Sequence, residues 1–182
     1  MNLELIKRIL TSLILLPILI FSLHYSGIYL LILLVLIFLL SFYEVFKTTK
    51  NLLFNLISNI IIIFSLFSFH FLRGETNYSL ILIYWILAAT FLSDIGGFTF
   101  GKIIKGKKLT KISPNKTYSG AVGSIIFSFI SLPLLNFFQF FFLNENLVNF
   151  YLLKYFILTF CISIICQLGD IYISYWKRKF NI

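Results

Sequence analysis

Charge is what this chain has least of. Only 12% of its 182 residues are charged, and six are acids, whereas soluble domains carry about 25% charged residues. With 60% of the sequence hydrophobic, a water-soluble fold of this length has no interior large enough to hide it. The bilayer must be the solvent. Cysteine is nearly absent. Cys161 and Cys166 lie in one apolar run without CxxC or zinc-ligand spacing, which excludes a disulfide framework and reads as small core packing. His24 and His70 are isolated near segment ends, so a Ser/His/Asp triad and a histidine metal centre are excluded too. No Pro-, Gly- or Ser-rich linker divides the chain, and residues 1–182 read as a single transmembrane domain.

The shortage of acids leaves a formal charge of +9. Nucleic acid is not the implied partner, because the lysines cluster at the ends of apolar segments, as on the cytoplasmic face of a membrane protein. Crossing the hydrocarbon core takes about 20 apolar residues. The sequence predicts an all-α polytopic protein with six spans: Ile9–Leu23, Ile28–Tyr43, Leu52–Leu72, Tyr78–Phe100, Gly120–Leu143 and Tyr151–Trp176. The first two are short, and the turn His24–Gly27 makes them a hairpin. Lys7-Arg8 before the first run imitates a signal peptide, but no small-residue cleavage site follows, so the run reads as a retained helix. With both termini cytoplasmic, thirteen basic residues fall inside: Lys7, Arg8, Lys47, Lys50, the six lysines from Lys102 to Lys116, and Lys177-Arg178-Lys179. Only Arg73 and Lys154 fall outside. The membrane expected is the cell's inner (cytoplasmic) one.

Four of the six acids, Glu4, Glu44, Glu75 and Glu145, fall at membrane edges or in loops, where water solvates them. Asp94 and Asp170 alone lie within spans. An ionisable group at the centre of a helix span costs on the order of 2.5–3.5 kcal/mol on insertion scales, which makes it a functional candidate. Each sits about two turns before a basic cluster, so both face the cytoplasm from one depth. Two carboxylates beneath lysines suit a hard cation bridged to phosphate oxygens, or else a pair of structural Asp–Lys contacts at helix ends. Gly97 and Gly101 form a GxxxG beside Asp94, a pattern for close helix packing or for close approach of a ligand. Ser119-xxx-Gly123 and Gly120-xxx-Ser124 give the fifth span a similar small face. Ser113-Pro114 reads as a helix N-cap and first residue, whose free N–H groups, with Lys116 and Thr117, would bind an anion. The lysine run Lys102–Lys111 is also explained by attraction to anionic lipid.

Three ordered segments together resemble the phosphatidate cytidylyltransferase (CDP-diacylglycerol synthase) family. Asp94-Ile95-Gly96-Gly97-Phe98-Thr99-Phe100-Gly101-Lys102 resembles its aspartate–glycine–aromatic–glycine–basic segment. Ile112-Ser113-Pro114-Asn115-Lys116-Thr117-Tyr118-Ser119-Gly120 resembles its I-S-P-x-K-T-W-E-G segment. Gln167-Leu168-Gly169-Asp170 with Ser174 and Lys177-Arg178 resembles the start of its C-terminal signature. Ile95, Ser119 and Ile173 depart from the usual Thr, Glu and Glu. The family's further Gly-His-Gly-Gly and Asp-Arg-x-x-Asp run has no counterpart, so the chain resembles a C-terminally truncated member. Residues 1–182 by themselves are expected to insert into a membrane without measurable transfer.

The resemblance implies cytidylyl transfer from CTP to phosphatidate, giving CDP-diacylglycerol and pyrophosphate in phospholipid biosynthesis. It implies Mg²⁺ held by Asp94 and Asp170. Asp94, Asp170 and Lys116 would act at the reacting phosphates. Ser113, Pro114, Lys116, Thr117, Ser174, Lys177 and Arg178 would contact substrate. Partners are CTP, phosphatidate and membrane lipids, with homodimer formation left open and no nucleic acid. Two other readings are carried forward: a small ion or solute transporter lined by Asp94 and Asp170, and an inactive remnant.

Overall fold

The computed structural model describes residues 3–48, 51–110, 113, 116–143 and 148–179. Seven helices contain nearly all of them, and the one β contact among the described residues is an isolated antiparallel bridge. The chain forms two compact units, Met1–Leu80 and Ile81–Ile182. Five spans are long and apolar enough to cross a membrane, and Leu10–Tyr25 adds a shorter apolar stretch. The all-α, polytopic membrane architecture stands.

The first unit contains α1 (Leu3–Tyr25), α2 (Gly27–Thr48) and α3 (Leu52–Arg73). The first two helices are longer than the apolar runs that predict them, because the polar ends continue the helix. The sharp reversal between α1 and α2 uses left-handed backbone at Ser26 (φ 48°) and Gly27 (φ 53°). Asn51 caps α3 by accepting a hydrogen bond from the Phe54 N–H. Leu23, Leu30 and Leu34 are buried, whereas Leu53 (71%), Phe64 (71%) and Phe71 (81%) are largely bare of protein. Rows of such side chains are tolerable only against hydrocarbon.

Arg73, predicted as an external loop cation, is buried instead, with 3% of its surface exposed. Its guanidinium gathers chain ends. Nε donates to the Leu23 carbonyl at 2.6 Å and Nη2 to the His24 carbonyl at 3.3 Å, while Nη1 reaches the carbonyls of Gly74 (3.0 Å) and Thr76 (3.4 Å). The last carbonyls of a helix lack intrahelical partners and carry the negative end of its dipole, so the cation caps α1 and ties it to the α3–α4 turn. Replacing Arg73 with Met removes these charged bonds and leaves the buried Leu23 carbonyl unpaired. We expect a loss of about 3 kcal/mol, read as a lower thermal midpoint in detergent, with Arg73→Lys falling between. An unchanged midpoint for Arg73→Met would contradict the clamp.

The second unit contains most of α4 (Asn77–Ile103), then α5 (Tyr118–Ser128), α6 (Ser131–Leu143) and α7 (Val148–Lys179). The predicted fifth span is two helices. The break falls at Phe129–Ile130, four residues before Pro133, where the proline ring would strike the carbonyl of Phe129 in a continuous helix. The chain tightens there with Ile130 N–H to Phe127 O (3.0 Å) and Leu132 N–H to Phe129 O (3.1 Å). Phe129 stacks on Phe156 of α7 at 4.1 Å between ring centroids. Ile81, Trp85 and Leu135 form the apolar core, with the Trp85 ring edge-on to Tyr155 at 5.2 Å. At the other end of α7, Lys179 lies over the Trp176 ring at 4.8 Å, an arrangement typical of a membrane interface.

From the alternation of basic loops, the lysine-rich loop after α4 is expected on the cytoplasmic side and the α3–α4 turn on the external side. In a background without native cysteines, Lys107→Cys should resist an impermeant thiol reagent added to intact cells and Glu75→Cys should react. Both positions are exposed. The reverse pattern would invert the topology.

Candidate functional site

The glycines settle how α4 meets α5. A Cβ added to Gly120 would lie 2.8 Å from the Gly97 carbonyl oxygen, and one added to Gly123 would lie 2.7 Å from that of Gly96. The two backbones therefore touch, and the GxxxG of α4 works as a helix-packing face against the small residues of α5. Between the helices, Lys105 (φ 58°) and Gly106 (φ 116°) turn the chain in left-handed backbone. The segment then folds on itself. Leu109 N–H donates to the Lys116 carbonyl (2.8 Å), and Tyr118 N–H donates to the Lys107 carbonyl (3.1 Å), around the Lys108–Thr117 bridge. The Ser119 hydroxyl donates to the Lys105 carbonyl. This clasp leaves Lys116 at the membrane end of the loop.

The helix start predicted at Ser113-Pro114 is displaced. The cap is Thr117, whose Oγ1 accepts the Gly120 N–H at 3.1 Å, and α5 begins at Tyr118. With Tyr118 and Gly120 N–H both bonded, the free first-turn donors expected of an anion site are largely used. Ser113 is buried in the preceding turn, where its carbonyl accepts the Lys116 N–H at 3.1 Å. Pro114 lies outside the described residues.

Helix α7 brings the second acid. Thr159, Ser163, Gln167, Asp170 and Ser174 recur every three or four residues on one face of an otherwise apolar helix. Two contacts fix its register. Ser163 and Ser93, both buried, share a hydroxyl hydrogen bond of 3.0 Å to α4, and Gln167 Nε2 donates to the Ala121 carbonyl of α5 at 3.3 Å. One turn further, Asp170 Oδ2 accepts from Lys116 Nζ in an ion pair. Asp94 lies within electrostatic range of both Asp170 and Lys116. Helices α4 and α7 are each described to nine residues beyond their aspartate, about 13 Å at the helical rise.

The other candidates are placed as follows. The Ser174 hydroxyl donates to the Asp170 carbonyl at 2.7 Å within its own helix. Thr117 Oγ1 serves as the cap and also bonds Ser119 Oγ at 3.0 Å. Lys177 and Arg178 stand exposed in the last turn of α7. Ser93 and Ser163 were not singled out in sequence, although the polar spacing along α7 carries the signal. Lys116, Thr117, Gly97, Gly120 and Gln167 help to line a cleft of about 30 Å³, space for one or two waters.

Among the described residues no three His, Cys, Asp or Glu side chains converge as a metal cage. The donor set present is two carboxylates, which fits a hard cation that completes its shell with water and phosphate oxygens. The Lys116–Asp170 pair is part-exposed, at 37% and 45% for the two side chains. Neither group is enclosed by protein, so a phosphate can reach the ammonium and a cation the carboxylate.

The sequence pattern of the cytidylyltransferase family matches residues 48–182. This chain belongs to that family. It is 33% identical to a phosphatidate cytidylyltransferase of Rickettsia conorii over 96% of this chain and 76% of that protein. The corresponding Rickettsia felis protein is 33% identical over 96% and 77%, and that of Rickettsia bellii 34% identical over 74% and 58%. No solved structure matches the chain. The matched region contains all of Asp94, Lys116 and Asp170.

Proposed function

We propose that this cytidylyltransferase-family chain transfers the cytidylyl group of CTP to phosphatidate. A phosphatidate oxygen attacks the α-phosphorus of CTP, the new P–O bond forms CDP-diacylglycerol, and the bond to the β-phosphate breaks with its electron pair leaving on pyrophosphate. Two anions must meet, so positive charge is the first requirement. The observation that carries the reading is the Lys116–Asp170 pair with Asp94 in range, inside the family match. In this account the Lys116 ammonium turns from Asp170 to a phosphate oxygen. The freed Asp170 and Asp94 would hold Mg²⁺, which when bound neutralises triphosphate charge. Ser113, Pro114, Thr117 and Ser174 lie close in sequence to these groups and border the substrate. Thr117 and Ser174 need a hydroxyl rotation to donate to it. Lys177, Arg178 and the exposed lysines 102–108 concentrate anionic lipid at the surface. A cleft of water size must widen for a triphosphate.

The membrane is the cell's inner one in this reading. The transporter alternative is not favoured, because both acids sit at one depth near one face and the relatives are cytidylyltransferases. To test the function, membranes from cells expressing the gene in its own genomic context receive labelled CTP, phosphatidate and Mg²⁺. Labelled CDP-diacylglycerol above a deletion control is expected, with none when diacylglycerol replaces phosphatidate. Absence of product would overturn the reading. The purified 182-residue chain assayed alongside checks the separate expectation of insertion without transfer.

A further inference from the structure

The unit Met1–Leu80 carries a groove that takes no part in the cytidylyl site. Leu31, Leu34, Val35 and Phe38 recur along one face of α2 at helical spacing, and Ile63 and Phe67 do so on α3. Together they line an apolar cavity of about 330 Å³, with His70 at one end. The stretch from Leu31 to Phe38 runs about 10 Å along the helix. A second cavity of about 430 Å³ shares Leu31 and His70 with the first and opens between Ser26, Gly74 and Glu75. The two form one path, apolar along the helices and polar at its mouth.

The occupant follows from size and chemistry. A helix with its side chains is about 10–12 Å across and cannot enter such a groove, whereas a single hydrocarbon chain can. At the junction the His70 Nδ1 is buried without a hydrogen-bond partner. Leaving such an atom unpaired is unfavourable, so the site is complementary to a polar group placed there. Glu75 is the one formally charged residue lining the mouth, which favours a headgroup that carries an ammonium. The alternation of basic loops puts this mouth at the outer surface. We propose that the groove holds one acyl chain of an outer-leaflet phospholipid whose ammonium-bearing headgroup rests against Glu75 and His70. Phosphatidylethanolamine has this chemistry, and phosphatidylglycerol, with no ammonium, does not.

The test is native mass spectrometry of the full chain in mild detergent, titrated with dioleoyl phosphatidylethanolamine or dioleoyl phosphatidylglycerol. Val35→Trp and Ile63→Trp fill the groove from positions that are 53% and 52% exposed, so folding tolerates them, and Leu53→Trp at 71% exposure is a control off the groove. Wild type should retain the ethanolamine lipid over the glycerol lipid by up to about fivefold, the range of one exposed ion pair. Both groove fillers should lower that adduct, Leu53→Trp should not, and Glu75→Gln should erase the headgroup preference. An adduct unchanged by both fillers, or lowered equally by Leu53→Trp, would overturn the site. Equal retention of the two lipids by wild type would overturn the headgroup assignment. A dimer in place of the lipid adduct, lost in the filled variants, would assign the groove to a second copy.

Discussion

In a chain extended by the family's C-terminal segment, Asp94→Asn and Asp170→Asn should each lower CDP-diacylglycerol formation by at least about tenfold, equivalent to ~1.4 kcal/mol of transition-state stabilisation. Asp170 pairs with the Lys116 ammonium, and Asp94 lies within electrostatic range of both. Asparagine keeps the shape and removes the charge, so a loss of rate without a loss of fold isolates the charge. Asparagine is near-isosteric and takes a charge out of a membrane span, so Asp170→Asn should move the thermal midpoint little. Lys116→Gln should lower the rate in the same way, since the phosphate would lose its nearest cation. The measurement is initial rate at saturating Mg²⁺ in membranes, with expression matched. Near-wild-type turnover in either aspartate variant would remove that residue from the metal role.

The spans were legible because hydrocarbon demands long apolar runs, and the two aspartates stood out because no other acid lies within them. The start of α5 did not read correctly. Ser-Pro and Thr117 are both good capping signals, and the choice between them is made by hydrogen bonds from Leu109 and Tyr118 across the clasp, which local sequence does not encode. Pro133 lies inside the predicted fifth span, and the break it causes falls four residues earlier at Phe129–Ile130, where the clashing carbonyl lies. The burial of Arg73 was not legible, because its partner Leu23 is fifty residues away. The Ser93–Ser163 bond is hidden for the same reason. Each is an ordinary polar residue until the helices pack.

The α4–α5 contact should be intolerant of the smallest added side chain. Gly123→Ala places a methyl 2.7 Å from the Gly96 carbonyl oxygen and against the Phe100 ring. Backbone cannot rotate away as a long side chain would, so the helices must separate. Overpacking of this kind costs about 1–3 kcal/mol, and Gly123→Val should cost more. The loss reaches function as well, because α4 carries Asp94 and α5 follows directly from Lys116 and Thr117. Gly169→Ala is the matched control. It has nothing within 4 Å, and alanine in a helix interior is favoured over glycine by about 1 kcal/mol. Thermal unfolding in detergent should therefore move down for Gly123→Ala and stay level or rise for Gly169→Ala. Equal shifts would mean that the glycines reflect helix propensity and not backbone contact.

The account rests on one claim, that Asp94, Asp170 and Lys116 form a single phosphate and cation site. Equilibrium binding of CTP to the purified chain in nanodiscs, with and without Mg²⁺, tests it without depending on turnover. The account predicts saturable binding that strengthens with Mg²⁺ in wild type. It predicts that the Mg²⁺ effect disappears in the Asp94→Asn/Asp170→Asn double variant, and that Lys116→Gln weakens binding with or without the metal. Binding that ignores Mg²⁺, or a Mg²⁺ effect that survives the double variant, would contradict the claim.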